Sequence, residues 1–250
     1  MSEAASYEQN SEVQRRLGVQ LIDQVSIEKG ATVLDLGCGT GYLTKVLSER
    51  VGPEGKVVAV DPDEERLKIA REKYSSPNIE YIQADDKTFS SGQYDVIFCN
   101  TVIHWIRDKK AAMKRIYEHL RSGGCFAFTT ADGVLPVAEI GKKIFNKLVG
   151  PNFVEWIFKE KLMLLKMSEY KSLASDADFI QISMTIHPEY PIWKNLDEYV
   201  DAMYGWFQGG FNPAKFDQET YQEIKSNYGN GPVTLSEPIN HFYAIFTKPK

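Results

Sequence analysis

The chain has 250 residues, 43% hydrophobic and 25% charged, with 29 basic against 34 acidic side chains and a net charge of −5. That balance supports one globular α/β domain with an added lobe, and it excludes a largely disordered chain and a dominant basic groove for nucleic acid. No apolar run approaches the roughly 18 residues that cross a bilayer.

Met1–Asn10 has no positive start followed by an apolar stretch, so no secretory signal is expected. Cys38, Cys99 and Cys125 lie too far apart for a disulfide framework or a metal-ligand cluster, which points to the cytoplasm and to no bound metal. Val13, Leu17, Gln20, Leu21 and Val25 then mark an amphipathic helix packed on or over the domain. TVLDL (32–36), KVVAV (56–60), IEYIQ (79–83), YDVIFC (94–99) and CFAFTT (125–130) are short and rich in β-branched or aromatic residues, and read as strands. Helices are expected between them at 42–50, 63–73 and 108–120, the last capped by Asp108 and presenting Ala112, Met113, Ile116, Tyr117 and Leu120 on one stripe. Gly123-Gly124 is expected to end that helix and begin the next strand. Such alternation predicts right-handed crossovers and a Rossmann-like, mostly parallel sheet of seven strands with helices on both faces.

After Asp132-Gly133 the pattern changes. Residues 134–175 read as helices broken at Gly150-Pro151, 179–187 as a strand, 195–207 and 217–228 as helices, and 241–247 as a final strand. The expected division within one domain is a covering helix (1–29), a cofactor-binding core (30–133), a lid with the remaining sheet elements (134–230) and a C-terminal strand (231–250). The lid aromatics, among them Phe145, Phe153, Trp193, Trp206, Phe207 and Phe211, suit a small lobe's own core. YGWFQGGF (204–211) stands out as a functional loop because its glycines permit movement. Ile157–Met167 reads as a packed helix, with contact to a membrane surface as the alternative.

The chemical signal is VLDLGCGTG (33–41). A strand ends in Asp35, and Gly37, Gly39 and Gly41 let the backbone turn sharply and a ligand approach closely. The spacing G-x-G-x-G differs from the G-x-G-x-x-G of dinucleotide enzymes, and the Asp35 carboxylate suits a cation and repels a phosphate. Asp61, followed by Pro62, ends the second strand and is placed to accept ribose hydroxyls; Asp85 and Asp86 end the third, and Asn100 the fourth. All lie at carboxyl ends of strands, where open α/β sheets bind ligands.

VLDLGCGTG (33–41), VVAVDPD (57–63), IQADD (82–86), YDVIFCN (94–100) and LRSGGCFAF (120–128) together resemble the class I S-adenosylmethionine-dependent methyltransferases over residues 30–130. The resemblance implies S-adenosyl-L-methionine as cofactor. It implies Gly37, Gly39 and Gly41 beside the methionine part and ribose, and Asp61 on the ribose hydroxyls. It further implies Asp85 on the adenine amino group, the Asp86 backbone on its ring nitrogen, and the Asn100 main chain toward the sulfonium. Tyr7 and Gln14, with Ile103, His104 and Trp105 after the fourth strand, resemble the branch containing juvenile hormone acid and trans-aconitate methyltransferases. That branch esterifies carboxylic acids; its Tyr covers the cofactor, and its Gln and His-Trp pair face the acceptor carboxylate.

The expected reaction is therefore O-methylation of a small, apolar carboxylic acid, a small-molecule acceptor, with Gln14, Ile103, His104, Trp105 and Trp206 as acceptor residues. A carboxylate is ionised at neutral pH and needs no base, whereas a phenol or alcohol would need one, and His104 is the histidine placed for it. His187 and His241, within apolar strands, read as structural, and His119 as a helix-terminal contact. The alternatives are a phenol, amine or carbon acceptor, a nicotinamide-dependent oxidoreductase, and a non-catalytic nucleotide-binding protein.

Overall fold

The computed structural model describes residues 2–89, 92–133, 135–207 and 210–250. Strands β1 (Thr32–Leu36), β2 (Lys56–Asp61), β3 (Ile79–Gln83), β4 (Tyr94–Asn100), β5 (Leu120–Ala131), β6 (Ile180–Glu189) and β9 (Ile239–Thr247) form one sheet, and β7 (Ile192–Trp193) and β8 (Val233–Thr234) a separate ribbon. The sheet order is β3-β2-β1-β4-β5-β9-β6. Neighbours run parallel except β9, which is antiparallel to both β5 and β6.

Alternation along each strand sorts its side chains onto two covered faces. Leu34, Leu36, Val58, Val60 and Ile97 face one way, onto Ala112, Met113 and Ile116 of α5 (Lys109–His119) and Tyr170 of α8 (Met167–Asp176). Val33, Val57, Val96 and Phe98 face the other, onto Leu17, Leu21 and Ile22 of α2 (Glu12–Gln24) and Leu47 and Val51 of α3 (Tyr42–Val51). Each fully buried side chain of this kind stabilises the fold by about 1.5–3 kcal/mol. Asp108 caps α5 by accepting from the Ala111 N–H at 3.0 Å, and Asp63 caps α4 (Glu64–Tyr74) by accepting from Glu65 at 2.9 Å.

Three expectations need correction. The helix expected over 108–120 ends at His119, and Leu120 already pairs with Tyr94. Gly123-Gly124 therefore lies inside β5, at a register shift opposite Tyr94–Val96, where a Gly124 Cβ would stand 3.0 Å from the Asp95 carbonyl oxygen. The N-terminal segment is two helices rather than one: α1 (Glu3–Asn10) and α2, separated at Ser11. The Asn10 amide folds back to donate to the Ser6 carbonyl at 3.0 Å and closes α1, so α1 and α2 cover different parts of the domain. Third, α8 leaves the lid and packs beneath the sheet.

The lid itself comes from two excursions. α6 (Glu139–Ile144), α7 (Phe153–Trp156) and the wide helical turns 145–149 and 157–162 lie between β5 and β6; α9 (Leu196–Trp206) and α10 (Gln218–Tyr228) lie between β6 and β9. Phe145, Phe153, Phe207 and Phe211 pack ring against ring at 5.1–6.5 Å between centroids, the lobe's own core as expected. Of the proposed loop 204–211, Tyr204–Trp206 end α9, Phe207 and Phe211 are buried, and Gln208 and Gly209 lie outside the described residues, as does Val134. Ile157 and Leu162 are buried within the lobe, which uses up the apolar side of 157–167. Among the described residues no helix is long and apolar enough to cross a membrane.

Candidate active site

A cavity of about 280 Å³ opens above the carboxyl ends of β1, β2 and β4, between the sheet and the lid. Its floor is the glycine loop after β1. Gly37 has φ +80°, and a Cβ there would stand 2.4 Å from a Val102 methyl, so this position requires glycine twice over. Gly39 forms the wall facing Tyr7, whose ring lies 3.3 Å from where its Cβ would be. Gly41 is turned away and packs against Ala70 and Tyr81.

Asp61 is 4% exposed at the end of β2. Its Oδ2 accepts from the Gly39 N–H and its Oδ1 from the Asp63 N–H, each at 2.9 Å. Burial raises its pKa, against the pull of Arg66 and those two N–H groups. Pro62, Asp63 and Glu3 complete this polar end. The Arg66 guanidinium pairs with Glu3 and lies 4.4 Å from the Tyr7 ring centroid, so it fastens α1 and its tyrosine over the loop. A second anchor is Glu8, which meets Arg15 at 2.7 Å, Lys73 at 2.9 Å and the Thr40 hydroxyl at 2.5 Å.

Asp35 lies beneath, in a narrow cleft that shares Tyr7, Gln14 and Gly37 with the lining of the main cavity. Its Oδ2 accepts from the Thr44 hydroxyl at 2.6 Å, and burial pushes its pKa up to about 7, with Asp61 adding to the rise. A cationic ligand in the cleft would relieve that burdened carboxylate. Asn100 lines the same cleft; its amide donates to the Gln14 carbonyl at 2.9 Å, and its Oδ1 accepts from the Thr129 hydroxyl at 2.8 Å.

The other end of the cavity is apolar, with Leu135, Leu162, Phe207 and Ile239 around Trp105, Trp206, His104 and His241. The turn Ile103–Trp105 after β4 brings His104 and Trp105 to this wall, their rings 5.5 Å apart. His104 Nδ1 lies 2.9 Å from the Thr130 hydroxyl. Burial pushes its pKa down to about 3, aided by Lys109 and His241, so the ring is neutral and a weak base. Gln14 Oε1 and Trp206 Nε1 are buried at the cavity wall without a hydrogen-bond partner.

The cavity thus gathers Tyr7, Gln14, Gly37, Gly39, Asp61, Pro62, His104, Trp105 and Trp206, with Asp35 and Asn100 in the adjoining cleft. Four positions fall elsewhere: Gly41, expected beside the ligand, packs against Ala70 and Tyr81 instead, and Ile103, Asp85 and Asp86 also lie outside. Ile103 is fully buried in the core beneath the sheet, because the tight turn that exposes His104 sends its neighbour inward. Asp85 closes its own turn: its Oδ1 accepts from the Thr88 hydroxyl at 2.7 Å and from the Lys87 and Thr88 N–H groups at 3.0 Å, which holds the carboxyl below its usual range. Asp86 follows in that turn, and neither acid lines the cavity. Conversely, His241 was read as structural and does line it, with both ring nitrogens buried and unpartnered. The reason is the reversal of the final strand, which enters the sheet at the ligand edge, so its first residues, not its last, face the site.

Residues 33–124 match the family described as methyltransferase domain. The trans-aconitate 2-methyltransferase of Azoarcus sp. is 38% identical over 113 residues, 45% of this chain and 44% of that protein. The malonyl-[acyl-carrier protein] O-methyltransferase of Acetivibrio thermocellus is 30% identical over 130 residues, 51% of this chain and 46% of that protein. Over a longer stretch, the demethylmenaquinone methyltransferase of Lactococcus lactis is 29% identical across 227 residues, 88% of this chain and 76% of that protein. The chain thus spans about half the length of the first two relatives. An S-adenosylmethionine-dependent methyltransferase from Mesorhizobium loti has the same fold, with a TM-score of 0.57 at 16% identity over 92% of this chain and 96% of that one. So does phosphoethanolamine N-methyltransferase 2 of Haemonchus contortus in complex with S-adenosyl-L-methionine, at 0.62 and 17% over 99% of this chain and 57% of that one.

Proposed function

We propose that this chain, whose residues 33–124 match a methyltransferase domain, is a class I S-adenosylmethionine-dependent enzyme that O-methylates a small, apolar carboxylic acid. S-adenosylmethionine, the cofactor of this domain, supplies when bound a methyl carbon already activated by its positively charged sulfur. The residues on the cavity floor fit that molecule. Asp61, already held by two backbone N–H groups, has lone pairs free for ribose hydroxyls. Asp35 favours positive charge in its cleft, and Gly37 and Gly39 line the cavity where a side chain would clash with Val102 or crowd the Tyr7 ring. Tyr7, held by Arg66, would cover it and exclude water.

The carboxylate reading rests on one observation: among the described residues lining the acceptor end, none is able to take a proton near neutrality. His104 and His241 are held by burial at about 3 and about 4. The nucleophile must therefore arrive ionised, as a carboxylic acid does and a phenol or alcohol does not. His104, tied to Thr130, would orient the acceptor rather than deprotonate it. Leu135, Leu162 and Phe207 would dry the site and favour an apolar body. A carbon acceptor is the second reading, favoured by the length of the match to the demethylmenaquinone enzyme.

Labelled methyl transfer to a panel of fatty and terpenoid acids, phenols and quinol precursors separates these. The expected product is a methyl ester. With cofactor saturating, kcat on an acid should stay flat from about pH 6 to pH 9, since neither acceptor nor His104 titrates there. A kcat that climbs about tenfold per pH unit would mark an acceptor that must lose a proton, and the carboxylate reading would fall.

A further inference from the structure

The acceptor end of the cavity poses a problem in charge. Arg66 is the one cationic side chain lining the cavity among the described residues, and it is engaged by Glu3 at the opposite, ribose-side end. An anionic acceptor would therefore enter a wall of Leu135, Leu162 and Phe207 with no positive partner. A buried anion without hydrogen bonds is costly, so neutral donors must supply them.

That wall contains such donors, and they are idle. His241 is 7% exposed, yet neither Nδ1 nor Nε2 has a partner, and Trp206 Nε1 is equally orphaned. Buried polar atoms are normally satisfied, so three unmet atoms on one cavity wall mark a place a ligand completes. Backbone geometry brings them together. β9 is antiparallel, so His241, its third residue, pairs with Ala131 at the ligand end of β5. Trp206 ends α9 and is braced edge-on by Trp193 at 5.9 Å. His104, its Nδ1 occupied by Thr130, keeps Nε2 for the cavity.

We propose that His241 and Trp206, with His104 beside them, form an uncharged imidazole–indole clamp that holds the carboxylate of the acceptor. The proposal rests on the carboxylic-acid reading above and adds the residues that recognise it. Neutral N–H groups fix both oxygens without burying a second charge, and they leave the carboxylate more nucleophilic than an arginine would. The clamp belongs to acceptor binding alone, because the ribose end has its own donors in the backbone N–H groups of Gly39 and Asp63.

The test uses the full chain with dodecanoic acid as acceptor and S-adenosylhomocysteine as the cofactor-site probe. His241→Leu and Trp206→Phe should each raise KM for the acid by about 10–100-fold, the range for a lost hydrogen bond to a charged group. Affinity for S-adenosylhomocysteine, read by calorimetry, should stay within about twofold, which also reports an intact fold. His241→Gln, which retains a donor amide, should recover most of the loss, a rescue that a packing role would not give. Unchanged KM in both deletions, with the wild type still esterifying the acid, would overturn the clamp and leave the acceptor class standing. No ester from the wild type with any acid of the panel would overturn both.

Discussion

At the ribose end of the cavity the carboxylates facing the ligand space are already held, although the Arg66 Nε has no hydrogen-bond partner of its own. Asp61 takes two backbone N–H groups, Asp35 takes Thr44, and Arg66 takes Glu3. At the acceptor end, His241, Trp206 and Gln14 present atoms with no partner at all. The first end is preorganised by one strand–loop–helix unit and its neighbour, with Glu3 and Tyr7 of α1 fastened over them by Arg66. The second is assembled from the N-terminus, a lid helix and the last strand, more than 200 residues apart between Gln14 and His241. On the proposed reading, a fixed cofactor would permit the first construction and an acceptor that completes the site would require the second.

The contrast can be broken most severely at the loop. Gly37→Ala adds left-handed strain and a clash with Val102, together about 2–5 kcal/mol. It should abolish measurable S-adenosylhomocysteine binding in calorimetry; near-normal binding would show that the loop is not rigid. Asp61→Ala comes next. It should weaken cofactor affinity by about 1.5–3 kcal/mol, with acceptor KM unaffected at saturating cofactor.

The acceptor end is sharpened by acid titration. His241 stays neutral in the folded state down to about 4, whereas an unfolded histidine protonates near 6.5. Between those values the unfolded chain binds the extra proton, so stability falls as pH drops through this window and is complete above it. His241→Asn should make that fall shallower by about 1.4 kcal/mol per pH unit, measured by denaturant melts across the window. Asp35 works in the opposite sense, because its folded pKa is raised to about 7, so the comparison must be of slopes between the two proteins. The smallest effect is expected at Asp85. With its carboxylate spent on its own turn, Asp85→Ala should change cofactor affinity by less than about 0.5 kcal/mol while costing about 1 kcal/mol of stability as a lost cap.

The parallel strands and the glycine loop at the cavity floor were legible in the sequence because their signals are local. A β-branched run, a glycine loop and a strand-end acid each occupy a few consecutive residues, and the order of strands carries the rest. Where the signal was equally local but ambiguous, as at Asp85, the side chain chose the nearer partner, its own turn. Ile103, expected at the acceptor, joins the core instead, because successive side chains of a tight turn point apart. Gly123-Gly124 looked like a helix stop, but Leu120 had already found a strand partner, and the pair served a bulge instead. His241 was unreadable from periodicity, since an apolar strand hides which of its ends meets the ligand until the strand's direction is known.

The reversed ninth strand has a practical corollary. It starts beside the cavity and runs nine residues away, about 30 Å at 3.3 Å per residue, until Lys250 lies against Gly123 on the far rim. A fluorophore, affinity handle or surface tether joined after Lys250 would stand a full sheet-height from the cavity, whereas one joined ahead of α1 would crowd it.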